Sequence, residues 1–332
     1  MHSDPAFRPT SNPGLVRRTV LGALAAMLAC ACLPARAQKT QGVLRIGYQK
    51  SSTLLTILKT RGTLEQLLAP LGVQVSWHEF SSGLPLLEAL NIGGVDLSAD
   101  VADTVPVFAQ AAGARLTYFA QEAPSPSAQA IVVRADSPLR SVADLKGKKV
   151  AVTKAAGSHY LLIAALAKAG LKFSDIRPAY LTPADGRAAF ERGSVDAWVA
   201  WDPFLAGVQR QSQARLLADG RGIAGYQRYY VAATPYAETH GEVLAIVFEQ
   251  LRKTGQWVKQ YPQQAAALLA PVWGLDSATI TLANSRRSYE VRVVTAASLE
   301  EQQRIADAFL AEGLLPRKLD AAEPPRWSAA AR

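Results

Sequence analysis

Cysteine is nearly missing from this 332-residue chain: the two present, Cys30 and Cys32, both fall near the N-terminus, before Ala37. A chain cut after Ala37 keeps no thiol, which excludes disulfides, a thiolate nucleophile and a thiolate metal site. Histidine is scarce too. Of the four, His78, His159 and His240 stand far apart, without the i+3 or i+4 partners of a helical metal site. No Gly-x-Ser-x-Gly elbow surrounds any serine, and neither Gly-x-Gly-x-x-Gly nor a phosphate-loop sequence occurs. Past Ala37 no stretch is apolar for long enough to span a membrane. No Lys/Arg block occurs either. Arg8, Arg17, Arg18 and Arg36 against Asp4 account for +3 of the net +9, and the remaining +6 is spread along the chain. That balance suits a small anionic ligand or solubility and is too diffuse to argue for nucleic acid. Neither catalytic residues nor a metal or cofactor are expected.

What is present begins with an address. Arg17-Arg18 precede an apolar run from Val20 to Leu33, and Pro34-Ala35-Arg36-Ala37 closes it with a small-x-small site. Residues 1–37 therefore read as a signal peptide cut after Ala37. The paired arginines permit the twin-arginine route. A lipoprotein would need Cys30 or Cys32, and Met27-Leu28-Ala29 makes a poor lipobox. The exported product is long enough for two lobes.

Ser141 to Gly170 organises the remainder. Lys148 to Val152 reads as a short buried strand and Leu161 to Ala169 as a helix closed by Gly170. The polar loop Lys154–His159 lies between them, with Ser158 placed to cap the helix. A helix start carries free N–H groups and a partial positive charge, so it is a seat for an anion. The unit recurs: the strand Val43–Tyr48, the loop Gln49-Lys50-Ser51-Ser52-Thr53, then a helix from Leu54. A second echo pairs Leu87-Glu-Ala-Leu-Asn-Ile-Gly-Gly-Val-Asp96 with Arg187-Ala-Ala-Phe-Glu-Arg-Gly-Ser-Val-Asp196. Two similar α/β halves follow. Ligands in such sheets sit beyond the carboxyl ends of the strands. The loops Gln49–Thr53, Ser98–Asp103, Lys154–His159 and Trp201–Phe204 then line one cleft. Ala128–Arg134 and Tyr229–Ala233 read as two crossover strands, and helices from Gly241 onward return to cover the first lobe. The boundaries predicted are 38–132 plus 233–320 for lobe I, 133–232 for lobe II, and a loose tail over 321–332. Asp100, Asp103 and Asp202, acids at loop–helix junctions, read as caps before they read as acid/base groups. Trp201 walls a ligand tail or fills core.

Several of these motifs, in order, resemble one family. Leu44-Arg-Ile-Gly-Tyr-Gln-Lys50, Val107-Phe-Ala-Gln-Ala-Ala-Gly113, Val142-Ala-Asp-Leu-Lys-Gly147, Tyr180-Leu-Thr-Pro-Ala-Asp185 and Val195-Asp-Ala-Trp198 through Trp201-Asp-Pro203 resemble the aliphatic sulfonate-binding proteins. These are periplasmic solute-binding components of ABC importers. The resemblance implies a type II periplasmic-binding-protein fold, two α/β lobes joined by two crossover strands with a ligand cleft between them. It also implies no enzymatic activity, a small organic anion (a sulfonate) as ligand, and as partners a permease in the inner membrane with its cytoplasmic ATPase. A monomer is expected. Gln49, Lys50, Ser51 and Ser52 match its Gln-Lys-Gly-Ser loop, with serine for the glycine. Gly157, Ser158 and His159 match its Gly/Ser-rich loop, and Trp201 and Asp202 its Trp-Asp-Pro. The loop holding Asp100 and Val101 departs from the family form, being one residue longer with Ala102 for a glycine. Taurine, nitrate or a thiamine precursor are alternative ligands. A desulfinase-like enzyme on the same scaffold is the alternative class, and its cysteine nucleophile has no counterpart after Ala37.

Overall fold

The computed structural model describes residues 42–328, so the predicted signal peptide lies outside the described residues. The chain opens with β1 (Gly42–Tyr48), α1 (Thr53–Arg61), α2 (Thr63–Leu68), β2 (Val73–Glu79), α3 (Gly83–Asn91), β3 (Leu97–Ser98), β4 (Val101–Ala102), α4 (Thr104–Ala111) and β5 (Leu116–Glu122). It continues with β6 (Gln129–Val133), β7 (Lys149–Val152), α5 (Gly157–Lys168), β8 (Arg177–Tyr180), α6 (Pro183–Glu191), β9 (Ala197–Trp201), α7 (Phe204–Gln211) and β10 (Arg215–Asp219). It closes with β11 (Arg228–Ala233), α8 (Thr234–Thr239), α9 (Gly241–Gln260), α10 (Pro262–Trp273), α11 (Ser277–Ser285), β12 (Val291–Arg292) and α12 (Ala296–Ala311).

The strands form two sheets on one plan. The first runs β12-β5-β11-β3-β1-β2 with β4 beside β11, and the second runs β10-β6-β9-β7-β8. In each, a central strand (β1 or β7) pairs in parallel with two others, β2 and β3 or β8 and β9. An antiparallel strand then follows, β11 beside β3 and β6 beside β9. The echoed Val-Asp sequence has a physical reason. Asp96 N–H donates to Arg45 O while its Oδ2 accepts from Arg45 N–H, both at 2.8 Å. Asp196 makes the same pair of 2.8 Å bonds with Lys149. Each aspartate fastens the parallel neighbour to the central strand with side chain and backbone together. Strands such as β9 are buried along their whole length, as their unbroken apolar sequence requires of parallel-sheet interiors.

The crossings between sheets lie elsewhere than predicted. β6 belongs wholly to the second sheet, held by β9 and β10, and β11 belongs wholly to the first, beside β3 and β5. The chain therefore changes sheets over 123–128 and 220–227, not at 132/133 and 232/233. Apolar extended runs pair along their full length, and the polar and Pro/Gly residues Pro124, Ser125, Pro126, Gly220 and Gly222 carry the turns.

Two further expectations are corrected. The stretch 321–328 is not loose. Tyr118 N–H donates to Pro325 O and Trp327 N–H to Tyr118 O, both at 2.9 Å, so it adds to the outer edge of β5. Trp327 also meets Phe119 at 5.0 Å and Phe248 at 5.5 Å. Prolines donate no hydrogen bond, and a sheet edge tolerates them. Of the C-terminal helices, α9 and α10 do pack on the first lobe, but α11 also packs on α7 of the second, and α12 packs on α4 of the first and α5 of the second. Its Phe309 touches Phe108 at 4.9 Å and Tyr160 at 6.3 Å.

Candidate functional site

Two adjoining cavities lie between the lobes, and Gln49 and Trp201 line both. The narrow one, about 10 Å³, is reached by Ser82, Gly83 and Leu84 from the first lobe and by Lys154, Ala156 and Gly157 from the second. These are the N-termini of α3 and α5, nine and twelve residues long. Their caps, Ser82 and Ala156, are extended and give no side-chain hydrogen bond to the helix. Two sets of free first-turn N–H groups, from different lobes, therefore converge on one small space.

The approach is close enough to dictate residue type. A Cβ on Gly157 would stand 2.6 Å from the Tyr226 ring and 3.1 Å from Ala102 Cβ, so only glycine fits there. Tyr226 (φ +53°) and Ala155 (φ +60°) beside it hold left-handed backbone, which costs a non-glycine residue of order 1–3 kcal/mol. Ala155 O accepts a hydrogen bond from Thr104 Oγ1 of the first lobe at 2.6 Å.

Arg228 lines the narrow cavity, with its Nε buried and unpartnered. Its Nη1 donates to Tyr226 Oη at 2.7 Å, and its Nη2 reaches Asp100 Oδ2 at 2.8 Å and Asp100 O at 2.6 Å. Behind it, Arg287 Nη2 bridges Asp100 Oδ2 at 3.0 Å and Glu122 Oε2 at 2.6 Å, and Tyr230 Oη donates to Glu122 Oε1 at 2.8 Å.

The wider cavity, about 240 Å³, has a different lining: Phe80 from the first lobe, Pro183, Trp201 and Phe204 from the second, and Lys50, Ser51 and Glu79. Trp201 and Phe204 meet edge-on at 5.6 Å. One end of the cleft offers N–H donors and a guanidinium, the other an apolar chamber.

Among the predicted site residues the structure brings Gln49, Gly157 and Trp201 to the narrow cavity, and Lys50 and Ser51 to the wide one. The others line neither. Ser52 Oγ accepts from Gln49 N–H at 3.2 Å and shapes the loop. Asp100 caps no helix; it is the buried partner of Arg228 and Arg287. Val101 pairs with Tyr229 in the first sheet. Ser158 is not the cap of α5, which begins one residue earlier; its hydroxyl is fully buried without a partner. His159 is turned into the core, 5.2 Å from Phe173 and 5.1 Å from Phe309, and burial pulls its pKa down to about 4, so the ring is neutral. Asp103 is the cap of α4, its Oδ1 accepting from Thr104 N–H at 3.0 Å, and Asp202, one residue before the Pro203 cap of α7, accepts on Oδ1 from Ala206 N–H at 3.0 Å. Burial pushes both carboxyls up to about 7, against Arg286 near Asp202 and against the backbone N–H of Gln227 on Asp103.

Arg228, Tyr226 and Phe80 escaped the sequence reading, while Phe204 closes a loop expected to line the cleft. For Arg228 a signal existed: a lone charge opening the apolar run Arg228–Ala233 must be paired if that run is buried.

The NMT1/THI5-like family model matches residues 71–265. An aliphatic sulfonates-binding protein of Escherichia coli (strain K12) is 41% identical over 306 residues, spanning 92% of this chain and 95% of its own. The alkanesulfonate-binding protein SsuA of Xanthomonas axonopodis pv. citri, solved bound to MOPS, is 39% identical with a TM-score of 0.80, covering 85% of this chain and 96% of that one. The desulfurization enzyme DSZB shares the fold alone, at 14% identity over 86% of this chain and 97% of its own, with a TM-score of 0.62. The two-lobed periplasmic-binding fold, the sequence identity and its coverage agree, and the chain belongs to the aliphatic sulfonate-binding proteins of the NMT1/THI5-like family.

Proposed function

We propose that this chain captures an aliphatic sulfonate in the periplasm and presents it, as a monomer, to an inner-membrane ABC permease with its cytoplasmic ATPase. The observation that carries the reading is the convergence of two helix N-termini and Arg228 on the narrow cavity, next to an apolar chamber. A sulfonate is ionised at any relevant pH, so neutral N–H donors and a paired guanidinium hold it without needing to titrate. The head group faces Gly83, Leu84 and Gly157, with Gln49 beside it. The organic tail lies against Trp201, Phe80 and Phe204.

At about 10 Å³ the narrow cavity has room for roughly one water. The head group therefore enters with the lobes apart, and the lobes close around it; that change is what a permease reads. The signal peptide, residues 1–37, carries the precursor out, and the exported form begins at Gln38.

The experiment is calorimetric titration of the form beginning at Gln38, refolded to strip bound ligand, in Tris because common zwitterionic buffers are themselves sulfonates. The panel holds taurine, short and long alkanesulfonates, sulfate and nitrate. Binding of alkanesulfonates with sulfate and nitrate silent is the expected result. A folded protein silent toward every sulfonate would overturn the reading.

A further inference from the structure

We propose that the narrow end of the cleft selects a singly charged head group and rejects dianions of the same shape, because its buried arginine comes already neutralised. The inference rests on the sulfonate reading above and concerns what that site refuses.

Arg228, Arg287, Asp100 and Glu122 form a closed quartet whose side chains are at most 3% exposed. Its two positive and two negative charges cancel. The other charges near the narrow end do not tip the balance. Asp103, behind the cavity, is buried and takes only backbone N–H groups, from Thr104 and Gln227. Arg286 is spent on Asp202 at 3.3 Å and on Gln209. Lys154 and Lys50 sit exposed at the rim, where solvent screens them. The buried surroundings of the head group are thus neutral or slightly negative.

What remains to meet an anion is the pair of helix starts at Gly83 and Gly157, each equivalent to roughly half a positive charge. Together they balance about one ligand charge. A second negative charge would sit buried with nothing opposite it, the costliest condition for an ion in a protein interior.

Alkylphosphonates make the test. They match an alkanesulfonate of equal tail in shape and oxygen count, yet pass from one charge to two near neutral pH. Both ligands, of the same tail, are titrated into the form beginning at Gln38 from about pH 6 to about pH 9, in buffers free of sulfonate. The sulfonate, which does not titrate in this range, reports the protein's own pH dependence, Asp103 included. The phosphonate-to-sulfonate affinity ratio is expected to fall about tenfold per pH unit above the second phosphonate ionisation. A ratio constant with pH, or a phosphonate silent even where it carries one charge, would overturn the inference while leaving sulfonate capture intact. If neither ligand binds at any pH, the sulfonate reading itself fails.

A variant locates the cause. Glu122→Gln releases one positive charge in the quartet and is expected to recover at least about tenfold of the ratio lost at high pH. If it does not fold, Asp100→Asn removes the other negative charge and carries the same expectation. An unchanged ratio in a folded variant would sink the quartet as the cause.

Discussion

The narrow and wide ends of the cleft share Gln49 and Trp201 and differ in everything else. At the narrow end backbone does the contacting: helix starts, a glycine against an aromatic ring, and one arginine fixed by two further charged layers. At the wide end side chains do it, chiefly the rings of Phe80, Trp201 and Phe204. The difference separates two properties that a binding protein must hold independently. In the proposed function, recognition of a head group needs donors fixed in place, which backbone and a charge-balanced ion network supply. Tolerance of different tails needs surface without direction, which in the same reading Phe80, Pro183 and Phe204 provide.

The harshest way to break this comparison is Arg228→Leu. Removing one member of the buried quartet leaves Asp100 and Glu122 sharing Arg287 alone and is expected to cost about 3–5 kcal/mol of stability in urea unfolding. In protein that still folds, calorimetry should show short- and long-tailed sulfonates losing affinity alike. A loss that grows with tail length would mean the two ends are not separate.

A pH scan sharpens it next. Asp103 lies behind the narrow end and Asp202 next to Trp201, and burial pushes both carboxyls up to about 7. Each holds its proton more tightly folded than unfolded, so its contribution is full below the unfolded pKa and is lost as pH rises through about 7. The melting temperature is therefore expected to drop by a few degrees between about pH 5 and about pH 8. Asp202→Asn should remove only part of that drop, leaving the share owed to Asp103. A flat melting profile in the parent protein would contradict the assignment.

Phe204→Ala is the mildest test. It trims a half-buried ring and is expected to cost about 1 kcal/mol in affinity for long-tailed sulfonates and nothing for methanesulfonate, measured side by side. Equal losses for both would place the ring at the head group instead.

The sequence showed the repeated plan because repetition survives in local patterns. The Val-Asp echo at Asp96 and Asp196 marks two identical backbone locks, and the Gly turns before them are short-range features. Gln49, Gly157 and Trp201 were legible for the same reason, since they stand where strands end. Arg228 was not. Its role depends on Asp100, far away in sequence, meeting it across β4 and β11. His159 misled in the opposite sense: a polar residue in a polar loop looks accessible, yet the helix begins early enough to turn its ring inward. The ending at Pro324-Pro325 misled because composition describes what a segment is made of, not the edge it finds.

That ending has a consequence for the order in which the molecule assembles. The second sheet is drawn from one unbroken stretch, from β6 to β10, whereas the first needs β1, then β11, then β12, and finally Arg326 against Tyr118. A chain that emerges on the far side of a membrane with its N-terminus leading has the whole second lobe available while the first still lacks its last strands. The pairings of greatest sequence separation close late, since their loops are the longest to gather. Lobe II is thus the natural template on which the rest condenses, and the clasp at Trp327 is among the last contacts made.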